Sequence, residues 1–306
     1  MMTPSYTLDA AGRLKITGFE GLHLRSHAGG RLTLTSNTPI TTSDVTAAAS
    51  IYYTPFLDNQ IALYDGSAWQ LVTFSEKTLA IGTTTSARPH DVFGYLSAGE
   101  LVLEHLVWTN DSTRATAITR QDGVYVKSGD ATRRLLGTFY TTSTTQTADS
   151  LTARYLANVY NAVARPMFTC PNYNNNNSNT SYTFTGASYA RINGGTNDTL
   201  NYVTPLDGAT VELGIVWFGS YPTSGVLRFG PSVDSTSTPL CVNGGGTTGA
   251  SGQFGSLAGT FRVSCASGTQ ATRGRFSRTL HGRDRRLIQG ARSSTGVCWD
   301  ECCEVA

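Results

Sequence analysis

The chain has 306 residues, a formal net charge of +2 and 14% charged residues, against about 25% in ordinary soluble domains. So even a charge balance gives no overall electrostatic case for nucleic acid, and no stretch approaches the ~18 apolar residues of a membrane-spanning helix. With 4 Trp, 14 Tyr and 12 Phe the chain is too aromatic for a disordered segment, and its surplus of Gly, Thr, Ser and Asn favours short strands over helices.

Residues 1–27 read as a leader. Leu14, Ile16, Leu22 and Leu24 alternate with polar residues, which suits one or two strands. The beginning, MMTPSYTLDAAGRLKITG, has no apolar core of the secretory type. A soluble product assembled without the secretory pathway is therefore expected.

Arg31–Thr35 alternates again, and the polar run Thr38–Ser50 reads as a connection. The stretch Ile51–Phe74, IYYTPFLDNQIALYDGSAWQLVTF, predicts three strand pieces joined by turns. Asp65-Gly66 between hydrophobic runs is a hairpin signal, lengthened by Ser67 and Ala68. Beyond it Trp69, Leu71 and Thr73 fall on one face and Gln70, Val72 and Phe74 on the other. Further strands are expected at Asp91–Leu96, Leu101–Trp108, Val124–Lys127 and Arg134–Tyr140, with turn residues between them. That spacing argues for a compact antiparallel barrel or sandwich.

The period then changes. Asp149 or Ser150 can cap a helix, and Leu151, Tyr155, Val159 and Val163 recur every four residues, with Leu156 and Tyr160 beside them. The spacing predicts an amphipathic helix over 149–163, stopped at Arg165-Pro166.

Residues 169–180, TCPNYNNNNSNT, read as a linker. The β pattern resumes at Ser181–Phe184, Tyr189–Ile192, Val211–Phe218, Val226–Phe229 and Thr260–Cys265, with Asn243–Gly255 as a flexible loop. The expected fold is all-β: two antiparallel sandwich or barrel-like domains joined through one amphipathic helix. Its divisions are a leader at 1–27, a β domain ending in the helix at 28–168, a linker at 169–180, a second β-sandwich at 181–267, and an Arg- and Cys-containing tail at 268–306.

The residues also carry a resemblance. The run from GGRLTLTSNTPITTSDV through YYTP, IALYDG and its following Trp, then LVWTNDSTRATAITRQDGVYVKSGDATRRLLGTF and DSLTARYLANVYNAVARPMF, resembles a segment of tail-associated structural proteins of tailed bacteriophages. It covers roughly residues 28–168. The resemblance implies a virion protein of the tail-fibre or adhesin kind. It brings no catalytic residue set.

Enzyme signatures are weak. NGGGTTGASG lacks the Lys-Ser/Thr of a phosphate loop, and Gly186-Ala187-Ser188-Tyr189-Ala190 lacks the second glycine of a nucleophile elbow. The five histidines, His23, His27, His90, His105 and His281, show no metal-binding spacing; His105 reads as a packed sheet residue. Polysaccharide cleavage would need two acids about 5–10 Å apart. The close pairs are Asp58/Asp65 and Glu100/Glu104, and the aspartates sit at turns where backbone reasons suffice.

Cys170, Cys241 and Cys265 read as free or buried thiols, and Cys298, Cys302 and Cys303 lack paired zinc spacing. Seven arginines between Arg273 and Arg292 read as a solvated tail or a contact for an acidic neighbour. For glycan binding the candidates by type are Tyr52, Tyr53, Tyr173, Tyr221 and Trp217.

The expectation is thus a non-enzymatic phage virion protein, with no cofactor, metal or catalytic residue. The leading role is a tail fibre or adhesin subunit in host attachment, homotrimeric, in contact with other virion proteins and with host cell-surface glycan. A capsid decoration protein is the alternative, and a polysaccharide-cleaving tailspike the second.

Overall fold

The computed structural model describes residues 25–167 and 199–212 in full. It adds the strand backbones at 5–8, 14–17, 213–220, 225–233, 243–247, 254–280 and 303–305, with some side chains at 232 and 260–269. Everything described is β-structure or connection.

In chain order, β1 (Ser5–Leu8) and β2 (Leu14–Thr17) pair as a hairpin. Then come β3 (Gly30–Thr33), β4 (Val45–Ala48), β5 (Ser50–Pro55), β6 (Gln60–Tyr64), β7 (Trp69–Thr73) and β8 (Lys77–Ala80). They are followed by β9 (Pro89–Ser97), β10 (Glu100–Val107), β11 (Ile118–Gln121), β12 (Val124–Lys127) and β13 (Asp130–Tyr140). Three short pieces, β14 (Thr147–Ser150), β15 (Ala153–Arg154) and β16 (Leu156–Asn158), complete the first part. The second part holds β17 (Thr199–Thr204), β18 (Ala209–Ser220), β19 (Gly225–Val233), β20 (Asn243–Thr247), β21 (Phe254–Cys265), β22 (Gly268–Leu280) and β23 (Cys303–Val305).

One antiparallel sheet runs β10-β9-β13-β12-β11, with β16 also on β13; a second runs β3-β5-β8. The two enclose one core of Leu32, Ile51, Tyr53, Ile61, Leu63, Phe74, Ile81, Val92, Leu101, Leu136, Phe139 and Leu156. The β6–β7 hairpin lies across the same core and bridges at Ala28–Ile61. Val72 and Phe74 point inward and Leu71 and Thr73 outward, as the alternation requires.

The two sheets also run side by side along both edges, β16 beside β3 and β8 beside β10. Among the described residues no backbone ladder crosses either junction. Side chains close them instead. At β3–β16, Asn158 Oδ1 accepts from Leu32 N–H at 2.7 Å and its Nδ2 donates to Leu32 C=O at 3.1 Å. This amide stands in for the missing strand partner. Asn161, in the left-handed region at φ 55°, donates to the Ala28 and Gly30 carbonyls. At β8–β10, His105 Nε2 meets Ile81 C=O at 3.1 Å and Lys77 pairs with Glu100 at 2.9 Å. The result is a barrel-like ring with two side-chain seams.

The helix expected over 149–163 does not form: β14, a Leu151-Thr152 turn, β15 and β16 occupy that span. The four-residue apolar spacing is broken by tertiary demands. Asp149 is 1% exposed and pairs with both Arg154 and Arg165, and the extended backbone at Leu156–Asn158 continues the ladder of β13. Leu156 enters the core, Tyr155 packs on Tyr140 at 4.8 Å, Tyr160 lies under the Arg134 guanidinium at 4.4 Å, and Leu151 is exposed. Helix propensity is a weak prior that such contacts override, and a short helix is marginal without packing. An assembly built on a helical apolar face therefore loses its structural motive.

Other expectations change too. The connection Thr38–Ser50 contains β4, and the loop Asn243–Gly255 contains β20, paired with β19. The arginine-rich tail begins as β22, which lies between β19 and β17. The backbone of Cys303–Val305 pairs with β18. A sheet β20-β19-β22-β17-β15-β14-β4 passes from the second part to the first, through a parallel pairing of β15 with β17. The linker at 169–180 and the strands expected at Ser181–Phe184 and Tyr189–Ile192 lie outside the described residues.

The same join is pinned by the loop after β10. Arg114 pairs bidentately with buried Asp91, stacks over Trp108 at 4.1 Å and donates to the Pro205 carbonyl. Burial raises the Asp91 carboxyl against the lowering field of Arg114. Gly268, at φ 114°, packs so closely on the Asp111 carbonyl that a Cβ would sit 2.2 Å from its oxygen, so only glycine fits there.

Candidate ligand-binding surface

Of the five aromatic candidates, Tyr53 is a core residue, 2% exposed and 5.0 Å from the Phe74 ring. Tyr52 points to the other face of β5 and is half-buried. Tyr173 and Tyr221 lie outside the described residues, as does the side chain of Trp217 in β18. The structure brings forward Trp69 instead.

Trp69 opens β7, directly across from Tyr64 on β6, and the two rings lie 5.5 Å apart at 50°. Asp65 organises the loop between them. Its Oδ1 accepts from Ser67 N–H, Ala68 N–H and the Ser67 hydroxyl, and its Oδ2 from Gln70 Nε2 at 2.9 Å. The Ala68 and Ser67 amides hold this carboxyl far below its ordinary value.

A second hairpin tip meets the first. Asp122 at φ 51° and Gly123 at φ 90° make the two-residue turn between β11 and β12. This is the Asp-Gly turn whose twist matches the strands. Asp122 Oδ2 accepts from the Trp69 indole N–H at 3.0 Å and from Gln121 Nε2 at 3.1 Å. The Trp69 donor, then Gln121, lower the Asp122 carboxyl. Both aspartates are ionised at neutral pH. Beside the turn, Arg120 covers the Tyr125 ring at 4.3 Å.

The arrangement is a half-buried indole held on its edge by a carboxylate, braced by a second aromatic ring, and rimmed by two carboxylates and two primary amides. Trp offers an apolar face with a polar edge, and binding sites combine aromatic surface with a few placed polar groups. A sugar ring presents the complement, an apolar C–H face with hydroxyls around it. Sequence reasoning placed Trp69 on one face of its strand with Leu71 and Thr73, without saying which face is outward, and did not single it out. Its signal is an aromatic at an outward strand position next to an Asp-Gly loop.

The acid pairs are otherwise engaged. Asp58 bonds Gln60 N–H at 2.8 Å and His27 at 3.0 Å, and those partners lower its carboxyl. Glu100 pairs with Lys77, and Glu104 with Arg133 at 3.0 Å. His90 and His105 touch each other; His23 and His281 lie outside the described residues. Cys265 is buried with Sγ 3.2 Å from the Tyr202 hydroxyl. Cys170, Cys241, Cys298 and Cys302 lie outside the described residues. Among the described residues no group of three His, Cys, Asp or Glu is placed to hold a metal, and no helix is long and apolar enough to cross a membrane.

No family model matches the chain, and no curated protein matches it. Among solved structures it is similar to the insecticidal delta-endotoxin Cry8Ea1 of Bacillus thuringiensis, with 8% identity and a TM-score of 0.26, covering 90% of this chain and 51% of that one. It is also similar to a Bacillus thuringiensis Cry1Da tryptic core variant, with 10% identity and a TM-score of 0.20, covering 85% and 48%. The chain thus spans about half the length of these structures.

Proposed function

We propose that this protein is a non-enzymatic structural protein of a tailed-phage virion, a tail fibre or adhesin subunit that attaches to host cell-surface glycan through the Trp69 surface. The observation that carries the binding part is the pinned indole: Asp122 fixes Trp69 from a neighbouring hairpin, so the platform is pre-organised and little side-chain freedom is lost on binding. The virion part is supported by the resemblance over residues 28–168. A single platform binds weakly, and copy number multiplies weak contacts. A homotrimer remains the proposed assembly, now without a helix to build it.

Binding of the purified protein to host cell-surface polysaccharide tests this reading, with Trp69→Ala as the control. The expected result is saturable binding lost in the variant, which still unfolds cooperatively, at a lower midpoint because the half-buried ring and its hydrogen bond to Asp122 are gone. Equal binding by both proteins overturns the Trp69 assignment. Light scattering that returns a monomer, with hundreds of copies per virion, overturns the fibre in favour of a capsid decoration protein. Release of reducing ends from the polysaccharide overturns the non-enzymatic reading.

A further inference from the structure

We propose that the β8–β10 seam is an acid-released latch, shut while the His90–His105 pair is neutral and forced apart when both imidazoles carry a proton. His90 is fully buried and His105 half-buried. Their Nδ1 atoms lie 3.1 Å apart. The rings also pack on Phe139, His90 stacked at 4.8 Å and His105 edge-on at 5.6 Å.

The hydrogen-bond pattern decides the tautomers. Ile81 C=O can only accept, so His105 Nε2 carries the proton that meets it. His105 Nδ1 is then the acceptor, and His90 Nδ1–H the donor. That leaves a lone pair on His90 Nε2, a buried atom with no well-formed hydrogen bond, although the Thr85 backbone lies close enough to favour the charged ring. All four nitrogen roles agree with two neutral rings.

Acid breaks the arrangement in two steps. A first proton enters at His90 Nε2. The Thr85 backbone favours the charged ring, and its carbonyl already takes the Thr141 hydroxyl at 2.8 Å. The Nδ1 contact survives this step. A second proton has only His105 Nδ1 to bind, and there it would face the His90 N–H. Two donors on two cations cannot stay 3.1 Å apart in a buried site.

No neighbouring element offers relief. From β8, Lys77 is paired with Glu100; from β10, Glu104 reaches His105 only through its field and is paired with Arg133; from β9, Asp91 is held by Arg114; ahead of β9, Arg88 pairs with Asp111. From β13 the facing group is Phe139. Burial, then the neighbouring imidazole, lowers His90 to about 4, and burial lowers His105.

His105 Nε2 is also the polar tie between β10 and the end of β8. Forcing the imidazoles apart therefore opens this edge of the ring. The β3–β16 seam, closed by amides, does not titrate. Acid should open the ring on one side.

Residue-resolved hydrogen exchange on the whole chain at pH 7, 5.5 and 4.5, corrected for intrinsic rates, tests the latch. Protection at 79–81 and 103–106 should fall about tenfold per pH unit for each proton taken up, while the Leu32 amide keeps its protection. His105→Gln keeps a donor for Ile81 and removes the second charge; it should cut that pH response to the single proton of His90. Loss of protection at both seams together, no loss at either, or an unchanged response in a folded His105→Gln protein overturns the proposal. If that variant does not fold, the wild-type comparison of the two seams decides.

Discussion

At the β3–β16 seam a single amide, Asn158, reproduces both halves of a backbone pairing, and Asn161 adds two more carbonyls. At the β8–β10 seam the same task falls to an imidazole and a surface ion pair. Both bring edges of the same two sheets together without a ladder. They differ in what perturbs them. Amides keep one protonation state at every pH a protein meets, whereas imidazoles change theirs near 6.5. The lesson is that closing a ring with side chains leaves each junction with the sensitivities of the groups that close it.

The largest expected break is Asn158→Ala. It leaves the N–H and C=O of buried Leu32 without partners, which should remove about 2–4 kcal/mol of stability by the usual penalty for unmatched buried groups. Urea unfolding at pH 7 measures it, and the loss should not vary with pH. A change of under half a kcal/mol would mean that water replaces the amide and that the seam needs no side chain.

Acid comes next. His90 is held neutral in the folded state, with its value lowered to about 4, while in the unfolded chain it titrates near 6.5. Between those values the unfolded state binds the extra proton, so stability must fall as pH falls through that window. Thermal melts from pH 7 to 4 should show this in wild type and, with the same slope, in Asn158→Ala. A flat profile would remove the difference between the seams.

Asn161→Ala should have a smaller effect, about 1–2 kcal/mol. The carbonyls of Ala28 and Gly30 have a second lone pair each, and under-satisfied carbonyls are better tolerated than orphan N–H groups. Smallest of all is Lys77→Met. Its partner Glu100 is largely exposed, so the change should stay below about 0.5 kcal/mol and vanish near 1 M salt. A larger, salt-resistant loss would move the centre of the His seam to this ion pair.

The sequence by itself determined the all-β class, because strand-length alternation and Asp-Gly turns are local signals. Val124–Lys127 between QDG and SGD turns, and the common face of Val72 and Phe74, follow from period 2 and turn chemistry alone. That Trp69 shares a face with Leu71 and Thr73 was legible in the same way, but not that this face is the outward one. What tertiary structure decided is everything that joins these strands. Residues 149–163 carry a helical apolar period, yet Asp149 takes two arginines and Asn158 takes Leu32, at separations of up to 126 residues. Arg134 reads as a polar strand residue, but it is 0% exposed and donates to the carbonyls of Arg25, Ser26, His27 and Ala62. The Trp69 platform exists only because a second hairpin supplies Asp122, 53 positions away. Local pattern records which backbone a segment prefers. It does not record which distant backbone groups lack partners, and those are the groups that recruit the asparagines, the buried arginine and the two histidines.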